Sequence, residues 1–173
     1  MIIRKSASEI ERIARAGDLV AATIAHVGER LVPGITTREL DDVADAFIRE
    51  AGGTSASRGY RGYPAAICIS PNDVVVHGIP GTHVVAVGDL ITIDVGATLD
   101  GAIADSAYTF GVGQIDREAQ RLLDVGQDAL AAGIAQATVG NRVGDISHAI
   151  QDVVEGAGFG VVRSLVGHGV GRH

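Results

Sequence analysis

Apolar residues in the first part of the chain recur at helical spacing. Ile10, Ile13, Ala14, Gly17, Val20, Ala21, Ile24, Val27 and Leu31 fall three or four positions apart, which lines one face of a helix. Ser6-Ala7-Ser8-Glu9 ahead of them is a capping box, and Pro33-Gly34 is read as the end of that helix. Thr36-Thr37-Arg38-Glu39 is a second capping box. It opens a helix with Leu40, Val43, Phe47 and Ile48 on its buried face, closed by Gly52-Gly53. The period then changes. G-Y-R-G-Y-P at 59–64 reads as a loop, and 65–70 and 74–77 read as short strands around the turn Pro71-Asn72-Asp73. Residues 84–110 read as two strands joined at Asp100-Gly101, a dipeptide suited to a type I′ turn. After Gly113 the helical period returns. Asp116 caps a helix carrying Leu122, Leu123, Leu130 and Ile134. A further helix carries Ile146, Ile150, Val153, Val154 and Ala157 and ends at Gly158. Residues 159–166 read as a last strand.

Sliding the chain by 106 positions lays Gly34 on Gly140, Leu40 on Ile146, Phe47 on Val153, Ile48 on Val154, Ala51 on Ala157 and Gly52 on Gly158. This pattern suggests an internal duplication, with a first pseudo-repeat at about 1–113 and the start of a second at about 114–173. The second copy stops where Ile67 lies in the first, so the counterpart of the hairpin is missing. The expectation is one incomplete domain spanning 1–173, either a piece of a longer protein or a natural half-length form.

Within the hairpin two residues break the pattern. Five aspartates and no Lys or Arg lie in 62–110. Asp73, Asp89 and Asp100 sit beside Asn or Gly as turn residues, but Asp94 and Asp105 interrupt the strands. A turn centred on 100 and 101 pairs Asp94 with Ala107, two residues from Asp105. The two carboxylates therefore share a face as diagonal neighbours, with backbones roughly 7 Å apart, while Ile91, Ile93 and Val95 point the other way. Like charges so placed repel unless a cation lies between them. The pair is either a divalent-metal site or a solvated face with two polar residues.

Composition narrows the class. The 173 residues are 46% hydrophobic and 20% charged, enough for a globular core. With 3% aromatics and no Trp, that core must be built from Val, Ile, Leu and Ala. A net charge of −7 argues against a general nucleic-acid binder and against docking on an anionic membrane. Cys68 is the single cysteine, so no intrachain disulfide forms. The N-terminal residues carry no apolar signal core, and no run of 18 apolar residues occurs. These features point to a cytoplasmic protein.

His77 ends the stretch V-V-V-H-G-I-P, and His168 lies in G-H-G-V-G. A histidine beside glycine is either a turn residue or a ligand approached closely by backbone. Cys68 between Ile67 and Ile69 is most simply a small buried apolar residue.

Together the motifs P-G-I-T-T-R-E-L-D, G-Y-R-G-Y-P, C-I-S-P-N-D-V-V-V-H-G-I-P, G-D-L-I-T-I-D-V-G, D-G-A-I-A-D-S-A-Y-T-F-G-V-G and G-H-G-V-G-R resemble the type I methionine aminopeptidases. They run in that family's order over nearly the whole chain. The resemblance implies an α/β (α+β) pita-bread fold built as two related halves. It implies removal of the N-terminal methionine from nascent polypeptides at the ribosome by two divalent metal ions (Co, Mn, Fe or Zn). By the same resemblance Asp94 would be a terminal ligand of one metal, Asp105 would bridge both, and His168 would bind the second. His77 would be the catalytic histidine contacting the substrate amine, and Tyr60, Tyr63 and Cys68 would line the methionine pocket.

Some family features are absent or altered. Two glutamate ligands of the family would lie beyond His173. His173 stands two positions too early for the family's carbonyl-polarising histidine and is given no role. Arg61 replaces a usual histidine, and Ala102-Ile103-Ala104 replaces an aromatic-His-Gly. Weak metal affinity and little peptidase turnover are therefore expected of these 173 residues by themselves. Two other readings stay open: a relative that keeps a peptide cleft without metals, and a fragment that folds only with its missing half.

Overall fold

A computed structural model of the chain describes residues 4–170. His173 and Arg172 of the G-H-G-V-G-R motif lie outside the described residues. Contacts divide the chain into two units, one running through Ile115 with Gly169 and Val170, the other being Asp116–His168.

The first unit opens with α1 (Ala7–Gly28). Its capping box forms: the Glu9 amide donates to Ser6 Oγ at 3.3 Å, and the Ser6 amide donates to Glu9 Oε2 at 2.8 Å. The helix stops short of Pro33-Gly34. Arg30 and Leu31 donate to the carbonyls three residues back, Val27 and Gly28, which tightens and ends the last turn. At Gly28 a Cβ would lie 2.6 Å from Cζ of Phe110, so this turn is shaped to fit that ring. The second box opens α2 (Thr37–Glu50) as the sequence predicts. The Glu39 amide donates to Thr36 Oγ1 at 3.2 Å, and the Thr36 amide to Glu39 Oε2 at 2.8 Å. Thr36→Ala should therefore lower unfolding stability by about 1 kcal/mol in a urea titration.

The sheet is built around β3 (Leu90–Leu99). β4 (Ala102–Gly111) runs antiparallel along its whole length. β1 (Thr54–Ser55) pairs with Thr98 and Ala97, and β2 (Cys68–Pro71) pairs with Asp94 through Ile91. The Asp100-Gly101 turn has φ of 50° and 72° at its two residues, both left-handed as a type I′ turn requires. The registers Asp94↔Ala107 and Gly96↔Asp105 are those read from the turn.

Alternation splits this sheet into two faces. Ile91, Ile93, Val95 and Ala97 are fully buried, joined by Ile67 and Ile69. Val20 and Val27 of α1, with Leu40 and Ile48 of α2, complete the core. Among the described residues no Phe or Tyr belongs to the fully buried set; Phe47 and Phe110 pack at its margin. The other face carries Thr92, Asp94 and Gly96 of β3 opposite Thr109, Ala107 and Asp105 of β4.

Two expected strands are absent. At 74–77, Val74 N closes a turn on Pro71 O, and His77 takes φ 56°, a value outside any strand. At 159–166, Arg163 and Ser164 form a turn, and no strand among the described residues pairs with the segment. Extended backbone without a neighbour has no ladder to join.

The second unit holds α3 (Arg117–Gln136) and α4 (Val143–Gly156). Asp116 caps α3 by accepting from Ala119 N at 2.8 Å. The helices meet where a Cβ on Gly133 would lie 2.9 Å from Ile150. The bounds of α4 are those of α2 moved by 106, and left-handed Gly34 and Gly52 recur as Gly140 and Gly158.

Candidate metal and substrate site

β3 and β4 place Asp94 and Asp105 on one face because their positions share parity across the turn. Asp94 is half-buried and Asp105 exposed. Opposite Asp105 stands Gly96, where a Cβ would lie 3.3 Å from Ala56 Cβ and 3.8 Å from Asp105 Oδ2. A side chain there would press on Ala56 and come into ordinary contact with the carboxylate.

Cys68 pairs with Asp94 on the other side of β3 and is buried. Burial is the first cause that pushes its thiol above the ordinary value; a hydrogen bond with Tyr63 works against it, and the negative fields of Asp94, Asp105 and Asp41 add to the rise. The thiol is therefore neutral rather than a thiolate. Both hairpin acids are felt at this one buried point. Arginines neutralise other acids: Arg15 meets Asp100 at 2.9 Å, and Arg58 lies 3.1 Å from Asp45 and 3.7 Å from Asp41. Among the described residues no ion pair involves Asp105. Two hard carboxylates on one face, without a Lys or Arg anywhere in 62–110, suit a divalent cation.

The loop before β2 supplies the aromatic residues. Tyr60 is 63% exposed, with the Arg61 guanidinium carbon 5.4 Å from its ring centre. Tyr63 is half-buried, and its hydroxyl lies 2.7 Å from the Gly78 carbonyl and 3.2 Å from that of Ile67. Burial, then the nearby thiol and acids, raise its phenol well above the usual range, so it remains a donor. Its ring can form a wall, but its hydroxyl is committed to backbone. His77 is exposed on the turn segment that follows β2. His168 is exposed in the coil that closes the second unit.

Three functional details escaped the sequence reading. Asp41 is 7% exposed on α2, and its Oδ1 accepts from Ala66 N and Ile67 N, both at 2.9 Å. It holds the chain entering β2. A signal existed: Asp41 stands seven residues from Ile48, on the same arc of the helix. Ser70 accepts from Gly78 N at 3.0 Å, and Asn72 binds Asp89 at 3.0 Å and Leu90 N at 2.9 Å. Nothing in local spacing identifies those partners.

The family model for metallopeptidase family M24 matches residues 11–173. The chain belongs to that family. It is similar to a methionine aminopeptidase of Clostridium perfringens, 45% identical over 172 residues that cover 99% of this chain and 69% of that protein. Its structure is similar to the crystal structure of methionine aminopeptidase from Rickettsia prowazekii, with a TM-score of 0.97 at 36% identity, covering 100% of this chain and 70% of that one. The Thermotoga maritima methionine aminopeptidase gives 0.96 at 40% identity, covering 99% and 70%. The M24 chain thus has the pita-bread fold, mixing helices with an antiparallel sheet.

Proposed function

We propose that this M24 chain is a metal-dependent aminopeptidase that removes the initiator methionine from nascent polypeptides. The observation that carries the reading is the placement of Asp94 and Asp105 on one face of the β3–β4 hairpin in a chain with this family membership. In this reading Asp94 and Asp105 hold a pair of divalent ions (Mn, Fe, Co or Zn), with His168 as a further ligand. When bound, the metal supplies Lewis acidity and acidified water for hydrolysis.

The protein's own residues do the rest. Tyr60, the ring of Tyr63 and Cys68 form a wall that takes an unbranched apolar side chain such as methionine. The neutral thiol keeps that wall free of charge. His77 binds the substrate amine and moves a proton at its imidazole. The partner is the N-terminus of a new chain leaving the ribosome, and the setting is the cytoplasm. Among the described residues no helix is long and apolar enough to cross a membrane. The recurrence of helix bounds and left-handed glycines at 106 positions supports reading 114–173 as the start of a second pseudo-repeat.

Calorimetric titration with Mn(II) or Co(II) should show saturable uptake. Any peptide trimmed by the loaded protein should begin with Met, and a chelator should stop the trimming. A chain that takes up neither ion, or that releases Leu as readily as Met, overturns the reading. The first result would favour a peptide-binding cleft without metals.

A further inference from the structure

His77 sits in an unusual backbone state. Its φ of 56° is in the left-handed region, which costs a residue with a Cβ roughly 1 kcal/mol or more. Neighbours on its N-terminal side do not hold it there: Val74, Val75 and Val76 are all more than 40% exposed. The restraint comes from the residue that follows.

Gly78 is tied to β2 at both ends of its own unit. Its amide donates to Ser70 Oγ at 3.0 Å. Its carbonyl accepts from Ile69 N at 3.0 Å and from the Tyr63 hydroxyl at 2.7 Å. The approach is so close that a Cβ on residue 78 would lie 2.2 Å from Ile69 O. Only glycine fits. Ser70 is itself 3% exposed, so its hydroxyl is fixed by burial. The peptide joining His77 to Gly78 is therefore pinned at its amide by Ser70, and the peptide after it at its carbonyl by Ile69 and Tyr63, although the loop before them is open to water.

We propose that Ser70 and the Tyr63 hydroxyl are positioning residues that lock Gly78 onto β2, hold His77 in its left-handed conformation and so aim its imidazole. What that imidazole does rests on the aminopeptidase reading. Where it is held does not. Both bonds end on backbone rather than on the ring, so each acts through Gly78 and neither is catalytic. In this arrangement Tyr63 has two separate duties, a ring that faces substrate and a hydroxyl that serves His77.

The test is the ring signal of His77 in a ¹H–¹³C spectrum of the full chain, assigned by His77→Gln. Ser70→Ala and Tyr63→Phe should each move and broaden that signal, and the double variant should disperse it. Leu19→Ala, a core truncation in α1, should lower stability while leaving the signal in place. If Ser70→Ala fails to fold, Tyr63→Phe reads the second bond independently. Unchanged His77 signals in folded Ser70→Ala or Tyr63→Phe overturn the proposal, as does an equal shift in Leu19→Ala. A chain that binds no metal would sink the aminopeptidase reading but leave this comparison intact.

Discussion

Asp105→Asn should weaken Mn(II) or Co(II) uptake on the order of 100-fold or more, and Asp94→Asn should do the same. Each exchange keeps the side-chain shape but removes a full negative charge from a donor set made of hard oxygens. The sign of the accompanying stability change separates a ligand from a structural residue. Asp105 is exposed and enters no ion pair among the described residues. It shares its face with a second acid. Losing its charge should leave the metal-free fold as stable as before, or up to about 1 kcal/mol more stable, through relief of like-charge repulsion. Calorimetry for the ion and urea unfolding of the apo chain measure the two quantities separately. Normal metal heats in both variants would mark the face as merely solvated.

Asp41→Ala should be among the most damaging single changes in the first unit, lowering stability by roughly 2–5 kcal/mol. It strands two backbone amides, Ala66 N and Ile67 N, that Asp41 Oδ1 satisfies at 2.9 Å each. It also removes the buried acid that Arg58 approaches. Asp41→Asn should cost far less, because its side-chain oxygen can still accept from both amides. The two variants also differ from wild type in their dependence on pH. Burial is the first cause that raises the Asp41 carboxyl above its ordinary value, with the two amide bonds and Arg58 working against it. Folding therefore favours the protonated acid. The stability contributed by its titration is full below the unfolded value and is lost as pH rises through the folded one. Measured by urea titration across the acid range, wild type should lose stability relative to Asp41→Asn as pH rises, then hold a constant difference at neutral pH. A constant difference throughout would show that Asp41 titrates alike in both states.

Most of the first unit was legible because its signals are local. Capping boxes at Ser6 and Thr36, the left-handed Asp100-Gly101 pair and strict alternation through Ile91, Ile93 and Val95 each involve residues close in sequence. The shared face of Asp94 and Asp105 follows from parity alone once the turn is known. What escaped depends on contacts made across the chain. Residues 74–77 have the composition of a strand, but Gly78 docks on Ser70 and turns His77 out of any ladder. Tyr63 reads as a pocket aromatic, while its hydroxyl is used by two carbonyls, one 15 residues away. Asp41 reads as one more polar helix residue until the chain entering β2 is seen against it. The left-handed Arg61 in the Tyr60–Gly62 turn left no trace in the sequence, because glycine is the residue that normally marks such a conformation.

The ten residues of β3 serve two masters. Odd positions go to the helices, and even positions carry a carboxylate and its neighbours. A shift of pairing by a single residue would send Asp94 inward and turn three fully buried isoleucine and valine side chains to water. Misregistered chains therefore cannot linger as well-folded but inactive protein. The same error that dismantles the acidic face also removes the oil that keeps the strand in place.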